Sequence, residues 1–298
     1  MKENENLRAK ADKTLILSLI SMLTIAFDIN VVLAPSNDTL VATYGSTPTI
    51  DGFIEASEWY DASAITFSVT EGANCTVYAK QDGFNLYVGF NIPDATYNSS
   101  DSCVILLDVN HDKNISLQMD DIWLAISRKG SQGEKNVTFG GWYPTSVSGW
   151  TAKASSTASG WQSEYNVTHS KLDVTARTDK TLGVDFLVVD SDVEKGWYTW
   201  PSRWISQPAT WGDMIVDTTP PTLSIACPEN KTYPVTDVPL TFTLSESTSW
   251  IGYSLDGQMN ETINGNTTLV RLSEGAHTIA VYANDTAGNM GASGTVYF

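Results

Sequence analysis

A chain of 298 residues with 34 acidic and 17 basic side chains has a formal charge of −17. That charge repels phosphate backbones and leaves no basic patch to steer nucleic acid, which excludes it as a natural partner. With 42% hydrophobic and 10% aromatic residues the chain has material for about two packed domains.

In chain order, residues 1–34 set a charged start (Lys2, Arg8, Lys10, Lys13) before TLILSLISMLTIAF, an uncharged run. This is the layout of an export signal. The other reading is a membrane anchor, but Asp28 and Asn30 cut the run short of the roughly 20 apolar residues a span needs. From 43 to 216 come ITFSVTE, CTVYAK, NLYVGFNI, SCVILLDV, DIWLAI, WQSEYNV and TLGVDFLVV, separated by DG, GG, SG and Pro and without any amphipathic helical period. These predict an all-β domain. SCVILLDV is apolar on both faces, as in a central strand, whereas DIWLAI puts Ile122, Leu124 and Ile126 on one face and Trp123 on the other. DTTPP at 217–221 ends the domain, because consecutive prolines cannot donate to a ladder. Beyond it TLSIACP, LTFTLSE, WIGYSLDG, TLVRLS and HTIAVYAND predict a second, immunoglobulin-like β-sandwich over 217–298, with Asp256-Gly257 as a hairpin turn.

Ten Asn-x-Ser/Thr sequons stand at Asn37, Asn74, Asn98, Asn114, Asn136, Asn166, Asn230, Asn260, Asn266 and Asn284. Beside an export signal they imply an N-glycosylated secreted or cell-surface protein; a Thr- and Asn-rich set of β edges would give the same pattern. Three cysteines, Cys75, Cys103 and Cys227, lack the spacing that zinc needs; Cys75 and Cys103 fit either a bridge or two buried thiols.

In LLDVNHDKNISLQMDD, oxygen-bearing side chains fall at every second position: Asp108, Asn110, Asp112 and Asn114, followed by Asp120 and Asp121. Calcium takes six to eight oxygen ligands, so a strand-borne calcium loop fits, as does an Asx-rich turn between strands. An EF-hand does not fit, since Lys113 stands at the turn glycine and Met119 at the bidentate Glu. Seven of ten Trp residues lie between 142 and 211. Sugars stack their C–H faces on aromatic rings, so Trp142, Tyr143, Trp150, Trp197 and Trp200, in turn-rich segments, are the candidate sugar contacts. Aromatic rings are equally core fillers. No GxSxG, HExxH or P-loop occurs, and His111, His169 and His277 lie in separate segments, so no catalytic residues are assigned.

The segment TIDGFIEASEWYDA at 49–62 resembles the start of family 9 carbohydrate-binding modules. AKQDGFNLYVGFNIPD, DSCVILLDVNHD, GWQSEYNV and WGDM are similar to later segments of that family, over about 170 residues. The resemblance implies a β-sandwich that binds a polysaccharide or glycan non-catalytically and holds calcium, with Trp59, Trp161 and Trp211 at structural positions. YSLDGQMNETINGNTTLVRLSEGAHTIAVYANDTAGNMG is similar to immunoglobulin-like repeats of archaeal surface proteins, which implies a spacer. The expectation is a non-enzymatic, calcium-stabilised sugar-binding sandwich on an Ig-like spacer. The alternatives are an adhesive surface protein without sugar binding and an accessory module of a polysaccharide hydrolase.

Overall fold

The structure, a computed structural model, describes residues 38–70, 73–193, 196–201 and 204–298. The segment predicted to be an export signal or anchor, and Asn37, lie outside the described residues. Among the described residues no helix is long and apolar enough to cross a membrane.

The first domain carries β1 (Thr39–Tyr44), the single-turn helix α1 (Ala56–Trp59), β2 (Ser63–Thr70), β3 (Ala73–Gln81), β4 (Asn85–Ile92), β5 (Ser102–Asp108), β6 (Asp121–Ser127) and β7 (Gln132–Thr138). It continues with β8 (Gly141–Thr145), β9 (Trp150–Thr157), β10 (Gly160–Thr168), β11 (Lys180–Val189), β12 (Trp197–Trp200) and β13 (Gly212–Val216). The strand order is β8-β7-β6-β5-β11-β13-β1-β3-β4-β10-β9, with β12 on β11 and β2 on β3. β1 runs parallel to both β13 and β3 and so joins the two facing halves of the sandwich.

The core between the halves holds Cys103, Ile105 and Leu107 of β5 and Val184, Phe186 and Val188 of β11 against Val77, Val88, Phe90 and Tyr165. Phe90 meets Phe186 edge-on at 5.6 Å. The intervening residues of β5, Val104 and Leu106, are buried on the other side with Leu117, Trp123, Val137, Leu187 and Trp211. β5 is therefore covered on both faces, as its sequence predicts. The Trp123 face of β6 packs into this second, smaller core. β1 begins at Thr39, and its Leu40 and Ala42 are buried in the main core.

The second domain folds as a smaller sandwich of β14 (Leu223–Cys227), β15 (Val238–Leu244), β16 (Thr248–Leu255), β17 (Glu261–Ile263), β18 (Thr267–Leu269), β19 (Thr278–Asp285), β20 (Met290–Ala292) and β21 (Val296–Tyr297). One sheet is β14-β15-β18 and the other β17-β16-β19-β20, with β21 on β19. Leu240, Phe242, Tyr253, Leu269, Ile279 and Val281 fill the space between them. Asp256 and Gly257 both take positive φ, as the hairpin reading requires.

The domains touch through specific polar contacts. Asp217 O accepts from Gln81 Nε2 at 2.9 Å and from Asn289 Nδ2 at 3.0 Å, and Tyr44 N donates to Ala287 O at 2.6 Å. Gly288, at φ +97°, is required there, since a Cβ would stand 2.9 Å from Tyr44 O.

Strand register fixes which loops share an end. Lys180 at the start of β11 pairs with Val216, the last residue before the linker, while Val189 at its end pairs with Trp197 and Ser102. At about 3.3 Å per residue these ends lie roughly 30 Å apart.

Candidate functional site

The family-like motifs converge first on a structural anchor. Glu164 of β10 is buried and accepts from Asp51 N at 2.9 Å, Gly52 N at 2.8 Å and Trp59 Nε1 at 2.8 Å. Burial raises its carboxyl pKa, against the pull of those hydrogen bonds. Gly52, at φ +97°, lies so close to β9 that a Cβ would come within 2.7 Å of Ser155 Oγ. The Ile-Asp-Gly stretch, the Trp and the Glu-bearing strand are thus one clamp that pins the N-terminal segment to the sheet. Lys80, fully buried, reinforces it by donating to Glu58 O at 2.8 Å and pairing with Asp61.

At the linker end of β5, the acidic stretch folds back on itself. Asp108 accepts from Asp112 N at 3.2 Å and Lys113 N at 3.0 Å, Asp120 from Asn110 N at 3.1 Å, and Asp121 from Gln118 N at 2.6 Å. Carboxylate oxygens of Asp108, Asp120 and Asp121 lie within 4.8 Å of one another. The nearby basic side chains turn elsewhere: Lys113 Nζ at 2.7 Å and His111 Nε2 at 2.9 Å both meet Asp213 Oδ1. Burial, with the charges of Asp108, Asp120 and Asp112, pushes the Asp121 carboxyl up to about 7, and burial likewise raises Asp108. Asp112 acts within the loop, accepting from Asn114 N at 3.2 Å, and the Asn114 side chain is exposed. The geometry therefore gathers three of the six sequence-predicted metal residues. This donor set of hard oxygens suits calcium.

The five predicted aromatic contacts do not form one platform. Trp150 is 4% exposed, stacks on Tyr165 at 5.8 Å and donates Nε1 to Glu134 Oε2 at 2.8 Å. It is a core residue with no ring face left for a sugar, which corrects the sequence reading. Trp200 is half-buried, with one face stacked on Phe186 at 5.7 Å. Trp142 is half-buried edge-on to Trp123, and its Nε1 is buried without a hydrogen-bond partner. Only Tyr143, at 51%, and Trp197, at 56%, are exposed. They stand on β8 and β12, with β7, β6, β5 and β11 between them. That is about 24 Å at the usual strand spacing. Trp59, Trp161 and Trp211 are each buried.

The rim carrying Trp197, opposite the linker, holds groups that sequence reasoning missed. One row of paired residues runs Trp197, Val189, Ser102, Ser127 across β12, β11, β5 and β6. Just beyond it lie Asp190, Asp101 and Arg128. The Arg128 guanidinium pairs with Asp94 at 3.2 Å and Asp101 at 3.5 Å and donates to Gly160 O at 3.2 Å and to Thr96 O. Its plane lies 5.1 Å from the centroid of Tyr97, a ring 63% exposed. Asn98 Nδ2 donates to Asp192 Oδ1 at 2.9 Å, tying the Tyr97 loop to the turn that leads to Trp197. Burial raises Asp101, with Asp94 and Asp190 adding to it. Two exposed rings, Tyr97 beside Arg128 and Trp197 on β12, thus stand on the rim formed by the ends of β12, β11, β5 and β6, a row about 15 Å across. Only the solitary Tyr in DATYNSS could have pointed to Tyr97, and nothing in its sequence context distinguishes it.

Burial also sorts the sequons. Asn74, Asn114, Asn230, Asn260 and Asn266 are exposed, whereas Asn98, Asn136, Asn166 and Asn284 are half-buried, and the carboxamide oxygens of Asn136 and Asn284 are buried without a partner. Cys75 and Cys103 are free and fully buried, with Cys103 Sγ 3.0 Å from Ser163 Oγ.

No protein-family model matches the chain. Halomucin of Haloquadratum walsbyi is 39% identical over 84 residues, 26% of this chain, and the chain spans about 1% of halomucin's length. Among solved structures, a family 9 carbohydrate-binding module of Caldicellulosiruptor kristjanssonii in complex with cellotriose aligns with a TM-score of 0.49 and 19% identity. The alignment covers 66% of this chain and 99% of that module. Its complex with glucose gives 0.49 and 19%, over 60% and 96%. Fibronectin(III)-like modules of Clostridium thermocellum CbhA give 0.31 and 11%, over 72% and 85%. These are likenesses of β-sandwich fold.

Proposed function

We propose that the chain is an extracellular, non-catalytic carbohydrate-binding protein, with its reading surface on the rim between Tyr97 and Trp197 and its second sandwich serving as a spacer. The observation that carries this reading is the pair of exposed rings flanking fixed polar groups. Flat rings take the C–H faces of pyranose units, and the exposed Asp192 carboxylate, held by Asn98, takes hydroxyl donors. Because Arg128 is buried and committed to its loops, it positions the rim and leaves the ligand to the exposed groups. The rim points away from the linker, as a reader on a stalk requires.

Calcium belongs to the same proposal. Asp108, Asp120 and Asp121 would hold it at the linker end, where its two charges would offset most of the charge of three carboxylates and fix the loop over β5 and β6. A structural or adhesive role without sugar binding is the second reading, supported by the match to part of halomucin and by the density of sequons.

The test is a glycan-array screen of the purified chain alongside Trp197→Ala and Tyr97→Ala. Binding that falls in both variants supports the reader. Binding to no glycan, or binding unchanged in both, overturns it in favour of the structural role.

A further inference from the structure

We propose that the open groove at the far end of the second sandwich is the seat of a glycan attached to Asn230. This rests on the reading of the chain as an exported glycoprotein. The groove encloses about 1190 Å³ and is walled by loop 230–238, loop 272–277 and the terminal pair Tyr297 and Phe298. β14 leaves the linker at Leu223 and reaches the groove after Cys227, while β19 starts beside the groove at Thr278 and ends at Asp285, whose partner Asn289 contacts Asp217 of the linker. The groove therefore opens away from the first domain.

Asn230, the first residue of Asn-Lys-Thr, stands in the wall itself and is exposed. The walls offer a saccharide both kinds of contact it needs. Tyr233 is held edge-on to Phe298 at 6.1 Å, and its hydroxyl is fixed by accepting from Glu229 N at 2.8 Å. Tyr297 is 60% exposed and Val235 57% exposed, while Lys231, paired with Glu229 at 3.1 Å and 5.4 Å over the Tyr233 ring, and Asp237, which accepts from Arg271 N at 2.9 Å, form the polar part of the wall. Apolar surface left in water at a concave site marks a binding surface. A saccharide tethered in the wall meets it at high effective concentration, so weak contacts suffice. Three other sequons lack this setting: Asn98 spends its Nδ2 on Asp192, and Asn136 and Asn284 bury their carboxamide oxygens.

Attachment forms a bond between Asn230 Nδ2 and the anomeric carbon of a diphosphate-linked glycosyl donor. The anomeric C–O bond breaks, its electron pair leaves with the diphosphate, and the Nδ2 proton passes to the departing phosphate oxygen. The saccharide then lies over Tyr233 and Tyr297.

The experiment uses the full chain made in a host that N-glycosylates exported proteins, with glycopeptide mass spectrometry and hydrogen exchange on wild type, Asn230→Gln and Tyr297→Ala. Expected are occupancy at Asn230 and exchange in 272–277 slower in wild type than in N230Q by roughly threefold to tenfold, the scale of one aromatic contact. Y297A should keep the occupancy and lose the protection. A glycan at Asn230 with equal exchange in wild type and N230Q overturns the proposal, as does an empty Asn230 beside occupied Asn74 or Asn260. All sequons empty would overturn the glycoprotein reading as well. N230Q should leave glycan binding at the Trp197 rim unchanged, so failure there tests the reader alone.

Discussion

On the calcium site proposed at Asp108, Asp120 and Asp121, removing the cation should destabilise the first sandwich in a pH-dependent way. Extracellular calcium modules bind with dissociation constants of about 10⁻⁴ to 10⁻³ M. At roughly 10 mM calcium, ligand linkage then contributes about 1.4 to 2.7 kcal/mol. For a domain of this size that is a rise of roughly 3 to 10 °C in Tm. The sign with pH follows from Asp121, whose carboxyl is raised by burial and by its acidic neighbours to about 7 from 3.8. Without the cation the folded state holds a proton that the unfolded chain releases. The stability this gives is fully present below about pH 4 and is lost as pH rises through about 7. A bound cation takes the proton's place and removes that loss. Differential scanning calorimetry with calcium and with EDTA should therefore give a small Tm difference at about pH 5 and the full difference at about pH 8. Asp121→Asn should abolish both the calcium response and this pH dependence. Equal Tm values with calcium and EDTA at about pH 8, or a difference that does not shrink on acidification, would refute the reasoning.

Glu164→Ala strands three donors, of which Gly52 N and Trp59 Nε1 are buried and Asp51 N is part-buried, and at roughly 1–3 kcal/mol for each buried unsatisfied group should cost about 2–6 kcal/mol in urea unfolding; a loss under about 1 kcal/mol would show that the clamp is dispensable. Trp150→Ala and Trp197→Ala should separate folding from binding. The first removes a core ring and should cost about 3–5 kcal/mol, whereas the second should leave Tm within about a degree and weaken glycan binding roughly tenfold; the reverse pattern would place the sugar at β9. Tyr143→Ala, on the far edge strand β8, should leave glycan binding unchanged in the same titration, and a loss there would move the site to β8.

The fold was legible because the chain alternates and breaks where strands and turns do. SCVILLDV read as a central strand, and it is covered on both faces. DTTPP read as a break in strand pairing, and residues 217–222 carry no strand between β13 and β14. The site was less legible, because Trp carries the same letter in a core and on a rim. Trp150 sits in a Ser- and Gly-rich segment that looks like a loop, but Glu134, sixteen residues earlier and on a different strand, draws its Nε1 inward. Arg128 and its partner Asp101 lie far apart in sequence and meet because β5 and β6 pair in register, and Asp190, just after the neighbouring β11, comes to the same carboxylates. The acidic stretch stands between these cases. Spacing put Asp108, Asp120 and Asp121 in one acidic stretch whose fold brings their carboxylates together, yet alternation alone could not tell that Asp112 accepts from Asn114 N within its own loop.

The first and last strands of the large sandwich, β1 and β13, are parallel neighbours in register from Thr39 with Asp213 to Ala42 with Val216. Tension entering ahead of Thr39 and leaving through the linker after Val216 pulls this pair from opposite ends. The ladder bonds then bear load together in shear instead of unzipping singly, and β3 holds β1 from its other side. In single-molecule pulling the large sandwich should yield at higher force than a hairpin peeled from its open end.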